Sequence, residues 1–259
     1  MSTARSAADV DAGAIRFSDV LGAEITKIRT LPAVWIVVAV SAGASTLLGI
    51  IAATDVVRVA GQAGPADITK FGTLMLAPMY AFIAIAVFAA GSEYRGGQLR
   101  LSLAATPDRH RFFTAKLLAV AAVTGPAAMA ALLPGFAIQH ASAVSTEELA
   151  IGDAAAGFGR LVLAYLLFSL IGYGFAFAAK TVVTPVAVLF AMPILVSTTL
   201  GGVLPKVVRL LPHEATLGFL GMPTGPVSGL GRGPGLLVLT TWTVLVVVAA
   251  WALVTRRDA

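Results

Sequence analysis

Six stretches of the sequence are apolar for roughly the length of a membrane-crossing helix, and they limit the fold more than any other feature. A helix needs about 20 apolar residues to cross a lipid bilayer. Within lipid, only helices and closed barrels satisfy their backbone hydrogen bonds, and these runs are continuous rather than alternating, which favours helices. We therefore predict an all-α integral membrane protein with six transmembrane helices. The predicted spans are 33–53, 73–90, 117–138, 161–179, 182–204 and 236–254.

The content of charged residues supports this class. Of 259 residues, 58% are hydrophobic and 12% are charged, whereas a soluble domain has about 25% charged residues. A net charge of +5 is explained by Lys and Arg held on the cytoplasmic side of a membrane, so no nucleic-acid partner is expected. The chain has no cysteine, which excludes disulfides and thiolate metal sites.

The distribution of Lys and Arg predicts the orientation. If both termini are cytoplasmic, twelve of the 18 Lys and Arg residues are cytoplasmic as well. The segment 139–159 carries Glu147, Glu148 and Asp153 but no Lys or Arg, which is typical of an external loop. We predict a cytoplasmic N-terminal segment, 1–32, followed by a single six-span domain, 33–259.

The residues before the first span have helical periodicity. Apolar side chains recur at three- and four-residue spacing from Phe17 to Ile28, and Pro32 ends the pattern. This predicts an amphipathic interfacial helix over 17–29, with its apolar face toward the membrane. The polar face available to a cytoplasmic partner consists of Glu24, Lys27 and Arg29.

A charged segment, 92–116, separates the second and third predicted spans. It contains Glu93-Tyr94-Arg95-Gly96-Gly97-Gln98-Leu99-Arg100 and Thr106-Pro107-Asp108-Arg109-His110-Arg111. The glycine pair permits a tight bend, and Thr106-Pro107 predicts a helix start with Thr as the cap. Leu99, Leu101 and Leu103 would fill an apolar groove of a partner while the Arg residues pair with acidic groups.

Two other interpretations of this segment remain open. A loop that only fixes topology needs Lys and Arg but no Glu-Tyr-Arg-Gly-Gly pattern. Binding of anionic lipid is the other interpretation, and it fits Arg109, Arg111 and Lys116 best.

Together with the entry to the first span, Lys27-Ile28-Arg29-Thr30-Leu31-Pro32-Ala33-Val34-Trp35, these motifs resemble the permease subunit of type-2 ABC exporters of the bacterial drug and natural-product export class. The resemblance covers the whole chain. It implies that 92–116 forms a cytoplasmic coupling helix that docks on a separate ATP-binding subunit. The docking residues it implies, together with the polar face of the N-terminal helix, are Glu24, Lys27, Arg29, Glu93, Tyr94, Arg95, Gln98, Leu99, Arg100, Pro107, Arg109, Arg111 and Lys116.

The resemblance also implies an assembly. Two permease subunits, expected as a homodimer, would combine with two ATP-binding subunits in the cytoplasmic membrane of a bacterium. The chain has no Gly-x-x-x-x-Gly-Lys-Ser/Thr motif, so ATP and Mg²⁺ are expected in the partner. We predict no catalytic residue, cofactor or metal site in this chain.

The segment 205–234 is mildly apolar and interrupted by five prolines. Short apolar pieces of this kind are typical of re-entrant or interfacial segments, and the resemblance implies short external helices that close the outer end of the pathway. The dipeptide His213-Glu214 is interpreted as a solvent-facing helix start after Pro212 rather than a proton-linked pair or a metal site, since a metal site needs three or four convergent ligands.

The predicted spans hold almost no charged residue, which is atypical of an ion or proton route. Their hydroxyl, aromatic and Met side chains suit an amphipathic or lipid-like molecule. The resemblance implies ATP-driven export of a drug, antibiotic, peptide or lipid-like substrate. The candidate path residues are Met79, Phe82, Tyr165, Phe168, Tyr173, Ser197 and Thr198. The alternatives are a non-transporting sensor or resistance module with the same ATPase interface, and an ion-coupled secondary carrier, against which the lack of an evident internal repeat counts.

Overall fold

The computed structural model describes residues 16–54, 56–57, 67–195, 203–224 and 229–256, and these residues form helices with no strand among them. Two single 3-10 turns, Ile68–Lys70 and Ser92–Tyr94, precede α3 and follow α5. The α-helices are α1 (Phe17–Thr30), α2 (Pro32–Thr54), α3 (Gly72–Met75), α4 (Ala77–Phe82), α5 (Ala84–Gly91), α6 (Gln98–Ala105), α7 (Arg109–Ser145), α8 (Ile151–Ala179), α9 (Val183–Leu195), α10 (Pro205–Val208), α11 (Pro212–Leu220) and α12 (Arg232–Arg256).

Five stretches are long and apolar enough to cross a membrane. They are α2, Gly72–Tyr94 (called span 2 below), α7, α8 and α12. The predicted class, an all-α multi-pass membrane protein, is confirmed. The predicted span 182–204 corresponds in part to α9, whose 13 residues cover about 20 Å. Residues 196–202 lie outside the described part of the chain.

Contacts between helix ends show that span 2, α7 and α8 alternate in direction. Near the start of α7, Lys116 pairs with Glu93 at the end of span 2. The Tyr94 hydroxyl, also at the end of span 2, donates a hydrogen bond at 3.3 Å to the carbonyl oxygen of Phe177, near the end of α8. α7 therefore begins where span 2 and α8 end. We call this the charged end of the bundle, and the other the opposite end.

α9 follows the same alternation. At the charged end, a β-carbon added to Gly91 of span 2 would lie 2.7 Å from Val182 Cγ2, just before α9 begins. Farther along α9, the Phe190 ring packs edge-on against Tyr80, with the ring centroids 6.2 Å apart. The described part of α9 thus runs antiparallel to span 2, toward the opposite end.

Span 2 forms the centre of the bundle. Its apolar window is 67% buried, compared with 11% for α2, which leaves most of α2 on the outside. The span is broken at Leu76 and Ile83 into α3, α4 and α5. Pro78 lies in the first turn of α4, where a missing N–H costs no helical hydrogen bond.

Glycines bring α2 and α7 into backbone contact. A β-carbon added to Gly49 would lie 2.2 Å from the carbonyl oxygen of Gly135, and one added to Gly135 would lie 2.2 Å from that of Ser45. Small residues allow this close approach in lipid, where packing rather than the hydrophobic effect holds helices together.

The predicted loop 139–159 is much shorter in the structure, where only residues 146–150 connect two helices. α7 continues to Ser145 and α8 begins at Ile151, ten residues before the predicted span start at 161. Apolarity marks only the part of a helix that lies in lipid, whereas the helix itself continues until its backbone hydrogen bonds are interrupted. Here the interruption includes Glu147, whose φ of 59° is left-handed.

Two short helices, α10 and α11, occupy part of the predicted segment 205–234. α11 packs against α12 and α8, and all its residues from Pro212 to Phe219 are buried. A β-carbon on Gly235 of α12 would lie 2.5 Å from the backbone nitrogen of Phe219. Because of this close contact, α11 belongs to the interior of the bundle at the opposite end.

Candidate functional site

Charged and polar side chains meet at the charged end, between α1, the end of span 2, α6 and α7, and three of the four charges are buried. We call this group the buried charge cluster, and it consists of Glu24, Lys27, Glu93, Ser102 and Lys116. Glu24, Glu93 and Lys116 have only 3%, 2% and 1% of their surface exposed. Burial of charges is costly unless they are paired and hydrogen-bonded, so the contacts within the cluster decide whether it is tolerated.

Lys116 is the centre of the cluster. Its Nζ donates to Glu93 Oε1 at 2.8 Å and to the carbonyl oxygen of Ala89 at 3.3 Å, and it also pairs with Glu24 Oε2. The ammonium lies 5.4 Å from the centre of the Phe112 ring. Its donors are directed at one carbonyl and two carboxylates, so the buried charge is compensated.

Lys27 and Ser102 close the cluster on the α1 and α6 side. Lys27 Nζ donates to Glu24 Oε1 at 2.8 Å, to Glu93 Oε1 at 3.4 Å and to Ser102 Oγ at 3.3 Å. Ser102 Oγ in turn donates to Glu93 Oε2 at 2.8 Å. Partial burial alone would lower the pKa of Lys27, but the hydrogen bond to Glu24 and the charges of Glu24 and Glu93 outweigh it and raise that pKa.

The cluster is neutral as a whole, since two carboxylates face two ammonium groups. Each carboxylate contacts both lysines, and Ser102 adds the bond to α6. Ser102 thus joins α6 to Lys27 of α1 and to Glu93 of span 2, and Glu93 in turn contacts Lys116 of α7. This is a mechanical connection between a surface helix and the bundle.

α1 contributes to this connection through its inner face. Val20 and Ile28 are buried, and the helix packs along α7. Its predicted apolar face is thus covered in large part by protein. At its end, Trp35 Nε1 donates to the carbonyl oxygen of Arg29 at 2.8 Å, which fixes the turn into α2.

The outward-facing surface of α1 and of segment 92–116 is cationic. Arg29, Arg95, Arg100 and Arg111 are exposed, as are Gln98 and Pro107. Gly96 and Gly97 have φ values of 59° and 76°, a left-handed conformation that glycine adopts without strain. The predicted bend is therefore confirmed, and it turns α6 back across the end of the bundle.

The three leucines of α6 do not act together as predicted. Leu99 and Leu103 pack against the hydrophobic core of this chain, whereas Leu101 is 71% exposed. The alternating spacing of these residues places them on different sides of a helix with 3.6 residues per turn. Of the three, only Leu101 is available to a partner.

A groove of about 450 Å³ lies between α1 and the segment around α6. Ile28 and Leu31 line one side, and Arg95, Gln98 and Leu101 line the other. The charged side chains of the cluster form part of its wall. A partner seated in this groove would therefore contact both the surface helix and the cluster.

Three further docking candidates contact the protein itself. Tyr94 bonds to Phe177 as described above, and Arg109 Nη1 donates at 3.2 Å to the carbonyl oxygen of Val254 in α12. Lys116 is buried in the cluster. Tyr94, Arg109 and Lys116 therefore hold segment 92–116 against the bundle, whereas the exposed arginines face outward from it.

The predicted helix start at Thr106-Pro107 is wrong by two residues. Asp108 is the N-cap of α7, and its Oδ1 accepts hydrogen bonds from the backbone nitrogens of His110 at 2.9 Å and Arg111 at 3.2 Å. A carboxylate satisfies two free N–H groups and also favours the positive end of the helix dipole. Asp108 is therefore the stronger cap than Thr106.

Five of the seven predicted substrate-path residues fall in the described ranges, and all five are buried inside the protein. Met79, Phe82 and Phe168 have no exposed surface, and Tyr165 and Tyr173 have at most 1%. The Tyr173 hydroxyl donates to the carbonyl oxygen of Phe113 at 3.1 Å, which is a packing role. Tyr165 lines a cavity at the opposite end. The remaining two, Ser197 and Thr198, lie outside the described residues.

The interpretation of His213-Glu214 as a solvent-facing helix start is wrong. Their exposed surfaces are 1% and 4%. His213 Nδ1 bonds to the Tyr80 hydroxyl, and its Nε2 lies 3.3 Å from Thr73 Oγ1. These contacts connect α11 to span 2. His213 and Glu214 are buried because α11 packs against α8 and α12.

Sequence analysis missed Ser102, Thr73 and Tyr80, which complete these two polar clusters. A single hydroxyl in an apolar or charged segment is a common residue and gives no local signal. The available clue was a pair of opposite charges where two apolar runs meet the charged segment between them, Glu93 after the second run and Lys116 before the third, since buried charges require partners.

Comparisons of the chain with protein-family models and with curated proteins give no match. Its function therefore rests on the geometry of the site and on the sequence motifs.

Proposed function

We propose that this protein is the permease subunit of an ATP-driven exporter, and that the cationic surface around α6 receives a separate ATP-binding subunit. The observation that carries the proposal is the direct connection of an exposed helix to the transmembrane helices through the buried charge cluster. A loop that only sets topology needs no such connection, because charge alone determines orientation.

The geometry divides the docking residues into two groups. Arg29, Arg95, Arg100 and Leu101 are exposed and would contact the partner. Guanidinium groups suit such a surface because they bind carboxylates through two parallel hydrogen bonds.

The second group transmits movement. Glu24, Glu93 and Lys116 are buried, so they would act on the position of α6 rather than on the partner itself. Movement of α6 would pull on Glu93 through Ser102, and Glu93 lies at the end of the central span 2. The charged end would then be cytoplasmic, with both termini on that side and α11 at the external end.

The proposed assembly has two copies of this chain and two ATP-binding subunits in a bacterial cytoplasmic membrane. ATP and Mg²⁺ would be bound by those subunits. The transported molecule would be an amphipathic drug, antibiotic, peptide or lipid-like compound, because the spans are apolar. The alternative of anionic-lipid binding by Arg109, Arg111 and Lys116 is weakened, since Lys116 is buried.

The test is co-purification with a candidate ATP-binding subunit that is co-expressed with this chain. The variant Arg95→Glu/Arg100→Glu reverses two exposed charges, and we expect at least a tenfold loss of retained ATP-binding subunit with unchanged membrane insertion. The matched control is Lys206→Glu, which reverses an exposed charge in α10 at the opposite end. Equal retention by both variants would contradict the docking surface. Reduced binding to anionic vesicles with full retention of the subunit would favour the lipid interpretation instead.

A further inference from the structure

A second polar site lies at the opposite end, in a cavity of about 270 Å³ between α2, α7, α8 and the start of α12. We call it the α7–α8 cavity. Gln139, on its wall, is 23 residues after Lys116 on the same helix, which corresponds to about 35 Å. The cavity is therefore separate from the buried charge cluster and from the proposed docking surface.

The floor of the α7–α8 cavity is apolar. Leu132, Phe136 and Tyr165 line it, and the contact between Gly49 and Gly135 holds α2 against α7 beneath it. Ligand cavities in proteins are lined mainly by apolar side chains with a few convergent polar groups. The floor of the α7–α8 cavity supplies the apolar lining.

Two arginines supply the polar groups of the α7–α8 cavity. Arg160 of α8 and Arg232 at the start of α12 both line the cavity. Neither makes a hydrogen bond or a salt bridge with any residue of the described ranges. Arg160 is half-buried, and Gly157 leaves room beside it, since a β-carbon there would lie 3.7 Å from Arg160 Nη2. Arg232 is exposed and lies against Gly221, whose added β-carbon would be 3.0 Å from Nε.

The remaining polar groups do not cancel this positive charge. Asp153 is the acidic residue of the lining, and it is exposed. His140 stacks on Phe136 with ring centroids 4.1 Å apart, and its Nδ1 lies 3.0 Å from the carbonyl oxygen of Phe136. A carbonyl oxygen only accepts, so Nδ1 carries the hydrogen. The cavity thus has one carboxylate and two guanidinium groups.

We propose that the α7–α8 cavity binds an anionic amphiphile. Its carboxylate, phosphate or sulfate group would pair with Arg160 and Arg232, and its apolar part would lie on the floor formed by Leu132, Phe136 and Tyr165. Guanidinium groups that have no partner among the described residues are suited to this, because each offers two parallel donors to an oxyanion. The inference rests on the proposed function and narrows its substrate class from amphipathic to anionic.

The test uses the purified full chain in phosphatidylcholine nanodiscs with 11-(dansylamino)undecanoic acid as the probe. We expect saturable dansyl fluorescence for the acid and at least tenfold weaker binding of its uncharged methyl ester. Arg160→Gln and Arg232→Gln should each weaken binding of the acid by about tenfold, since one charge-assisted hydrogen bond contributes about 1.5 kcal/mol or more. Lys206→Gln, an exposed cation at the same end, should bind the acid like the original chain.

Two results would overturn the proposal: equal binding of acid and ester, or unchanged binding of the acid by both arginine variants. Arg160→Lys guards against a folding artefact, because it keeps the charge and the length but loses the paired donors, and it should weaken binding less than Arg160→Gln. An effect as large as that of Arg160→Gln would mean that charge at this position is irrelevant and would also count against the proposal.

Competition identifies the source of the anion. Displacement of the probe by phosphatidylglycerol in the nanodisc indicates a lipid headgroup, and displacement by octanoate added in solution indicates a free amphiphile. Displacement by neither overturns the proposal. No ATP-binding subunit is present in this assay, so loss of docking in the co-purification test and loss of binding here are independent results.

Discussion

Replacement of Lys116 by Met tests the buried charge cluster most directly. Methionine keeps most of the side-chain length but removes the ammonium that contacts both Glu24 and Glu93. Those two carboxylates, whose side chains are 4% and 3% exposed, would then share Lys27 alone. Removal of one partner from a buried ion pair costs about 3–5 kcal/mol, because an uncompensated charge remains inside the protein.

The expected result is a lower midpoint of thermal unfolding. At about 2–4 °C per kcal/mol for a chain of this size, Lys116→Met should lower the midpoint by about 10 °C. Size-exclusion chromatography of detergent-solubilised protein after stepwise heating measures this value. The matched control is Arg111→Met, because Arg111 pairs with Asp108 at 3.5 Å with both side chains about half exposed, and such a surface pair contributes at most about 1 kcal/mol.

A double variant separates loss of charge balance from loss of packing. Lys116→Met/Glu93→Gln leaves one carboxylate, Glu24, beside Lys27, so the cluster is neutral again. We expect it to recover more than half of the lost midpoint, because neighbouring charges are coupled and their effects do not add. The reasoning is refuted if Lys116→Met melts within about 3 °C of the original chain, or if the double variant is no more stable than Lys116→Met.

Two further predictions concern packing and pH. Gly49→Ala should lower the thermal midpoint by several degrees, because its β-carbon would overlap the Gly135 carbonyl oxygen and overpacking costs about 1–3 kcal/mol. The control is Gly43→Ala on the same helix, where no atom lies within 4 Å, and it should not lower the midpoint. Equal midpoints for the two variants would contradict the predicted clash. Burial lowers the pKa of His213, outside the five apolar spans, from 6.5 to about 4, so the folded chain resists protonation that the unfolded chain accepts. Stability from the neutral histidine is thus present above pH 6.5 and lost as pH falls toward 4, by about 3 kcal/mol in all. The free energy of unfolding can be measured between pH 7 and 4 for a Glu214→Gln chain with and without His213→Gln. It should fall with pH only in the chain that keeps His213, and parallel curves would refute the prediction.

Fold class was accessible from the sequence because it depends on local apolar length. Each run of about 20 apolar residues must leave water as a unit, and only a helix does so without loss of backbone hydrogen bonds. Helix ends were less accessible. Thr106-Pro107 predicts a start for α7 that Asp108 provides instead, and the polar residues of 139–159 predict a loop although helices extend into them.

The sequence locates the candidate site in one segment, and the structure shows which residues of that segment face outward and which are buried. Sequence motifs identified Glu93, Arg95, Arg100 and Lys116 together, because all four are charged residues between two apolar runs. They did not separate the residues that face outward from those that face inward. The structure separates them, because α6 folds back over the end of span 2 after the Gly96-Gly97 bend.

Sequence alone determined that the chain is a multi-pass helical membrane protein with a cationic segment between its second and third apolar runs. Both properties depend on residues that are neighbours in the chain. Tertiary structure decided which charges are buried and paired: Lys116 meets Glu24 from 92 residues away and Glu93 from 23. It also placed His213 in the interior and left Arg160 and Arg232 facing one cavity. Pairing and burial depend on which helices pack together, and a linear pattern does not contain that information.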